Sequence, residues 1–310
     1  MRVAVTGASG FVGGAVCRAL ADRGCAVLAY GRRTTVPSER VGGAPYRSWD
    51  ITGGPLTDAP IVDAVVHCAG TVTDWGPIGE FFAINMAGTT NVLRSFPDVR
   101  FVQVSTASVY DPYRPTVMAT EDQAPVRRYL NGYGASKAAA ERAVLASGAR
   151  AIILRPHAVY GPGDTTILPR VLSAVRGRVL LAVGDGRQRI SMTSVGNLVQ
   201  ACLLAVCGPV ERGVFNVADA EPVTLDQLLR SILTERSVSA RPAYLPLRTV
   251  WPLASAVEGA FLLAGRPRPP RLTRYALSHL AVERTLDLTA ARRDLGYAPA
   301  PTSFTGAAFW

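Results

Sequence analysis

The stretch MRVAVTGASGFVGGAVCRALADRGCAVLAYGRR, residues 1–33, decides the fold. Val3 to Val5 is a short apolar run and predicts a strand. Thr6 to Gly10 is a glycine-rich turn. Phe11 to Arg23 carries apolar residues at helical spacing, and Gly24 stands where a C-cap is expected. Cys25 to Tyr30 reads as a second strand. Strand, tight turn, helix and strand together open a parallel sheet wound on both faces. The first residues superficially resemble a secretory leader. TGASG breaks the apolar run, however, and no cleavage region follows, so the reading is a strand.

Within the turn, Gly7, Gly10 and Gly13 form T-G-x-x-G-x-x-G. Glycine permits the tight turn and a close backbone approach. The helix that follows offers free N–H groups and a positive dipole end to a pyrophosphate. The strand–turn–helix context is what gives the glycine triplet meaning. Gly7, Ser9, Gly10, Phe11, Val12 and Gly13 are therefore predicted to hold a dinucleotide. An acid at the end of the second strand would bind a ribose 2′-hydroxyl, and a base there would accept a 2′-phosphate. The chain has Arg32 and Arg33 and no acid, which points to NADP(H) over NAD(H). The competing reading is two ordinary solvated arginines.

Outward from this unit, strands are predicted at Val62 to His67, Phe101 to Ser105 and Ala151 to Leu154, with helices over Ile78 to Ser95 and Gly132 to Ala146. The expected fold class is α/β, a doubly wound parallel Rossmann sheet with a smaller mixed C-terminal region. Beyond about residue 160 the rhythm loosens, with Pro and Gly clustered at 161–163 and 266–270. The expected division gives residues 1–165 and about 190–218 to the dinucleotide-binding domain. About 166–189 and 219–310 go to a substrate-binding region over the C-terminal edge of the sheet.

Composition narrows the classes. At 48% hydrophobic and 18% charged residues, 310 residues exclude disorder and can bury a large core. The formal net charge is +10, yet the arginines are spread, with no run longer than two and no aromatic interleaving. That argues against a nucleic-acid partner and suits an anionic small molecule. The five cysteines form no C-x-x-C pair and have no histidine cluster nearby, so no disulfide framework or metal site is expected and a cytoplasmic location is. Of the 33 basic residues 32 are Arg; the one Lys is Lys137.

Tyr133 and Lys137 are four residues apart in a predicted helix and share a face. A free phenol is a poor acid–base catalyst near pH 7, and a neighbouring ammonium lowers its pKa. Arg is also cationic, but its bulkier fork fits less well beneath a nicotinamide ribose.

With these pieces in place the chain resembles an extended short-chain dehydrogenase/reductase. The matching stretches are TGASGFVG (6–13), Asp50-Ile51, DAVVHCAG (63–70), NMAGTTNVL (85–93), VSTASVY (104–110), YGASK (133–137) and LRPHAVYGPGD (154–164). The resemblance implies catalytic roles for Thr106, Tyr133 and Lys137. Thr106 would hold the substrate oxygen, Tyr133 pass the proton, and Lys137 bind the ribose. It also implies cofactor contacts from Asp50, Ile51, Ala69, Gly70, Pro156 and His157, and a homodimer. Ser105 and Ser108 remain alternatives to Thr106. Asn85 reads as a backbone pin, and His67 as structural.

Departures from subfamily patterns bear on the reaction. The Asp-Glu pair of sugar-nucleotide dehydratases is replaced by Ala107-Ser108. Ala158 and Asn197 stand where epimerases usually carry Asn and an acid. Residues 155–172, 184–199 and 268–299 are more similar to the 3β-hydroxysteroid dehydrogenase-like branch. The expected reaction is hydride transfer between NADPH and a ketone or secondary alcohol on a largely apolar substrate. The alternatives are a sugar-nucleotide epimerase or ketoreductase, and a non-catalytic NADP-binding regulator. Thr249 to Ala264 has one charge, Glu258, in an apolar run too short to span a bilayer. It is read as lining a pocket, dimerising, touching a membrane, or packing as an ordinary buried helix.

Overall fold

The computed structural model describes residues 1–310. Its centre is a seven-stranded parallel sheet: β1 (Arg2–Thr6), β2 (Ala26–Gly31), β3 (Tyr46–Ser48), β4 (Ala64–His67), β5 (Arg100–Val104), β6 (Arg150–Pro156) and β7 (Gly213–Val217). The spatial order is β7-β6-β5-β4-β1-β2-β3. The order reverses between β1 and β4, and ligands of such sheets bind in the crevice at that reversal.

Period-two alternation divides the strand residues between two cores. Val3, Val5, Val66, Val102, Ile152 and Leu154 face one, with Val16, Cys17 and Leu20 of helix α1 (Phe11–Asp22). Ala4, Val65, Phe101 and Ile153 face the other, with Val92 and with Val144 of helix α2 (Gly132–Ala146). Burial on both faces explains why these strands read as continuous apolar runs.

The predicted elements fall within a few residues of the observed ones. β3 and β7 escaped the sequence reading: β3 is three residues, Tyr-Arg-Ser, and β7 starts at Gly213 in a stretch without clear rhythm. The helix expected over 78–95 is interrupted by a π-helical stretch, Phe82–Ala87.

A third apolar cluster, including Leu168, Leu180, Ile190, Leu228, Ile232 and Phe304, builds the C-terminal region. Leu286, Leu288, Ala291, Leu295 and Tyr297 return to the first core. Helices α3 (Leu247–Leu263) and α4 (Arg274–Leu280) pack on each other through Val250, Ala254 and Leu277. No helix is long and apolar enough to cross a membrane.

Candidate active site

The turn after β1 is built for backbone contact. Gly7 has φ +71°, and a Cβ there would lie 2.6 Å from the Ala69 nitrogen. A Cβ on Gly13 would lie 2.3 Å from the Gly7 carbonyl oxygen. These glycines let the turn pass directly against the end of β4, at the reversal of strand order. Gly10 occupies the N-cap of α1 without a side-chain hydrogen bond, and the first turn carries no acid. The opening N–H groups of α1 are thus left to an incoming anion. This cradle fits a dinucleotide pyrophosphate.

Around it, Ser9 lies beside Gly31 and the Tyr46 hydroxyl. Arg32 and Arg33 follow β2, are exposed, and form no ion pair. Asp50 caps the short turn Ile51–Gly53; the Thr52 donors, chiefly its backbone N–H, hold the carboxyl below its usual range, and Arg32 adds to this. Ile51 is buried against Gly88. Asn85 Oδ1 accepts from the Thr71 backbone N–H at 2.9 Å, and its Nδ2 donates to the Ser136 hydroxyl at 2.9 Å. Asn85 therefore fixes the loop carrying Ala69 and Gly70 to α2. His67 bridges the Thr6 and Thr89 hydroxyls at 2.7 and 2.9 Å, and burial pushes its pKa down to about 3.

Thr106, Tyr133 and Lys137 are all buried. Asn131 caps α2 by accepting from the Gly134 N–H, which fixes the first turn that bears Tyr133. Lys137 Nζ donates to the Val104 carbonyl at 2.7 Å. Burial lowers the pKa of Lys137 to about 8, with Glu141 opposing the change. The Tyr133 pKa is raised, not lowered as expected from its lysine neighbour: burial dominates, and the Thr106 hydroxyl offsets part of it.

The two alternative hydroxyls are both committed. Ser105 donates to Glu141, which forms a buried ion pair with Arg155 at 2.7 Å. Ser108 accepts from Thr106 at 3.1 Å and meets the Tyr275 hydroxyl at 2.8 Å and His279 Nε2 at 3.4 Å. The directions of this network follow from one end. His157 Nδ1 faces the Ser191 carbonyl at 2.8 Å, and a carbonyl only accepts, so Nδ1 carries the proton. Burial lowers the His157 pKa to about 4, which leaves Nε2 bare to accept from His279 Nδ1 at 3.0 Å. His279 Nε2 is then the acceptor for the Ser108 hydroxyl, and Ser108 accepts from Tyr275 and Thr106. Its hydrogen bonds are all in use, whereas Thr106 can turn its proton off Ser108 towards a substrate.

Tyr275 and His279 were not singled out in the sequence reading, although the block 268–280 that bears them stood out as a pattern. They lie 167 and 171 residues from Ser108. Asp74 anchors this cover: it accepts from Thr273 at 2.7 Å, next to α4, and pairs with Arg170 at 2.7 Å. Pro156 ends β6, and His157 follows it within hydrogen-bonding reach of the α4 side chains.

A model of the "NAD dependent epimerase/dehydratase family" matches residues 3–218. The chain belongs to this family. Among relatives, a 2-alkyl-3-oxoalkanoate reductase of Stenotrophomonas maltophilia is 31% identical, covering 96% of this chain and 95% of that one. A 3 beta-hydroxysteroid dehydrogenase/Delta 5-->4-isomerase of Mycobacterium tuberculosis is 28% identical over 96% of this chain and 86% of its own. Among solved structures, MoeE5 in complex with UDP-glucuronic acid and NAD superposes with a TM-score of 0.74 at 25% identity, covering 98% and 95% of the two chains. Family membership makes the chain an oxidoreductase of the extended short-chain type that uses a nicotinamide cofactor.

Proposed function

We propose that this protein is an NADP(H)-dependent ketoreductase that interconverts a ketone and a secondary alcohol on a largely apolar substrate. The observation that carries the reading is that Thr106 reaches Tyr133 and Lys137 is held on the Val104 carbonyl two residues before Thr106, under a cover whose Tyr275 and His279 meet Ser108. Gly7, Ser9, Gly10, Phe11, Val12, Gly13, Asp50, Ile51, Ala69, Gly70, Pro156 and His157 would hold the cofactor. When bound, the nicotinamide supplies the hydride in reduction and takes it back in oxidation.

The residues of the chain manage the oxygen. Tyr133 gives its proton to the developing alkoxide, and Thr106 donates a hydrogen bond to the same atom. Lys137, held by the Val104 carbonyl, brings a cation towards the phenolate that Tyr133 becomes. The raised pKa of Tyr133 keeps the phenol loaded with its proton before reduction. Nothing at positions 107 and 108 offers the carboxylates an elimination would use.

Tyr133→Phe removes the transferable proton; kcat for NADPH-dependent ketone reduction is expected to fall by roughly 10²–10⁴, and an unchanged rate refutes the assignment. Arg32 and Arg33 support the preference for NADPH. Replacing both by Ser is expected to raise KM for NADPH about tenfold or more while leaving KM for NADH near its wild-type value. A wild-type enzyme that favours NADH refutes the preference. Net consumption of NADPH separates a reductase from an epimerase, which returns its cofactor unchanged. A homodimer through α2 and a cytoplasmic setting suited to five unpaired cysteines complete the reading.

A further inference from the structure

We propose that the outward face of α3 and the arginines flanking it dock the protein on an anionic lipid bilayer surface. Unlike an ordinary surface helix, α3 is apolar on its outward side as well as on the side that buries Val250 and Ala254. Its one acid, Glu258, is buried and accepts from the Arg274 backbone N–H at 2.8 Å and from the Arg274 guanidinium. Its outward side carries Leu253, Val257 and Leu263, of which Leu253 is 65% exposed and Leu263 93%. Pro252, Ala256, Ala260 and Ala264 continue the same exposed side. No charged residue lies on this face between Thr249 and Gly265.

Charge supplies the second half of the argument. Residues 241–282 contain six Arg and one acid, Glu258. Arg248 precedes the apolar face, and Arg266, Arg268 and Arg271 follow it; all four are exposed, and none is ion-paired. An apolar face bordered by arginines matches the acyl–headgroup boundary of a membrane with negatively charged lipid. The same arginines disfavour a second copy as the occupant, because two-fold pairing of this face would bring like-charged clusters together. Exposed leucines have no counterpart in nucleic acid.

The placement also has a use. The Trp75 indole N–H donates to the Arg266 carbonyl at 2.9 Å, and its ring meets Phe261 edge-on. α3 is thus fastened to the loop over the site, and Val72 and Ile78 at the ends of that loop are exposed. α4, packed on α3, carries Tyr275 to Ser108. Docking on α3 would bring the mouth of the site to the lipid surface, from which an apolar substrate would enter.

The test is co-sedimentation of the full chain with phosphatidylcholine–phosphatidylglycerol vesicles and with pure phosphatidylcholine vesicles. Binding is expected with the mixed vesicles, weakened by salt and much weaker with the neutral ones. Leu253→Asp combined with Leu263→Asp is expected to weaken it about tenfold or more, with an unchanged thermal midpoint because both side chains are exposed. Replacing Arg266, Arg268 and Arg271 by Ser is expected to remove the preference for the anionic lipid. Protein that stays in the supernatant with mixed vesicles overturns the proposal. So does binding indifferent to the leucine substitutions. A dimer seen by light scattering that Leu263→Asp dissolves also overturns it and assigns the face to a second copy.

Discussion

The turn at residues 7–13 and the cover formed by α4 stand on the same cleft, and they are made in opposite ways. The turn works through backbone: three of its seven residues are glycine, and a Cβ would fall 2.6 Å from backbone at Gly7 and 2.3 Å at Gly13. The cover works through side chains: Tyr275 and His279 reach Ser108 across more than 160 residues of sequence. In the proposed function, cofactor binding is thereby separated from substrate handling, and the two should fail independently.

The largest effect that tests this separation is expected in the turn. Gly7→Ala must place a Cβ 2.6 Å from the Ala69 nitrogen at φ +71°. The strain and the clash together are worth about 3 kcal/mol or more, so the Kd for NADPH, read by fluorescence titration, should rise more than about a hundredfold. A variant that binds NADPH normally would show that the cradle tolerates side chains after all.

A smaller effect is expected from the cover. His279→Phe removes the acceptor that holds the Ser108 hydroxyl, and with it the orientation of Thr106. We expect kcat to fall about tenfold, the scale of one lost hydrogen bond, while the Kd for NADPH stays put. His279→Gln, which restores an acceptor, should recover part of the loss. A parallel loss of NADPH affinity would join the two regions into one unit.

A third effect is shared by both. His67 behind the turn and His157 under the cover are held neutral, with pKa values lowered to about 3 and about 4. An unfolded histidine takes up a proton near pH 6.5. The unfolded chain therefore binds more protons below that pH, and stability falls as pH drops from about 6.5 towards 4. Thermal midpoints across this range should decline without a change in the NADPH site above pH 6.5. A flat profile would mean that these histidines are protonated in the folded chain.

The same contrast explains what the sequence makes legible. Glycine spacing, apolar strands and a Tyr-x-x-x-Lys helix are local signals, so the seven-residue turn and α2 can be read directly. β3 is three polar-tipped residues at the edge, where neither alternation nor length is available as a signal. The hydrogen bonds of Ser108 are decided by which segment folds over it, and nothing near Ser108 names Tyr275. The i, i+4 spacing of Tyr133 and Lys137 is legible, but the sign of the Tyr133 shift is not, because burial depends on the whole fold.

Lys137 has one more consequence. It is the single lysine in 310 residues, and its ammonium sits on the Val104 carbonyl inside the cleft. Feeding isotopically labelled lysine to the expression host would give a magnetic-resonance spectrum with one side-chain signal. That signal would come from the proposed reaction centre, against no background, and would report the protonation of Lys137 during turnover.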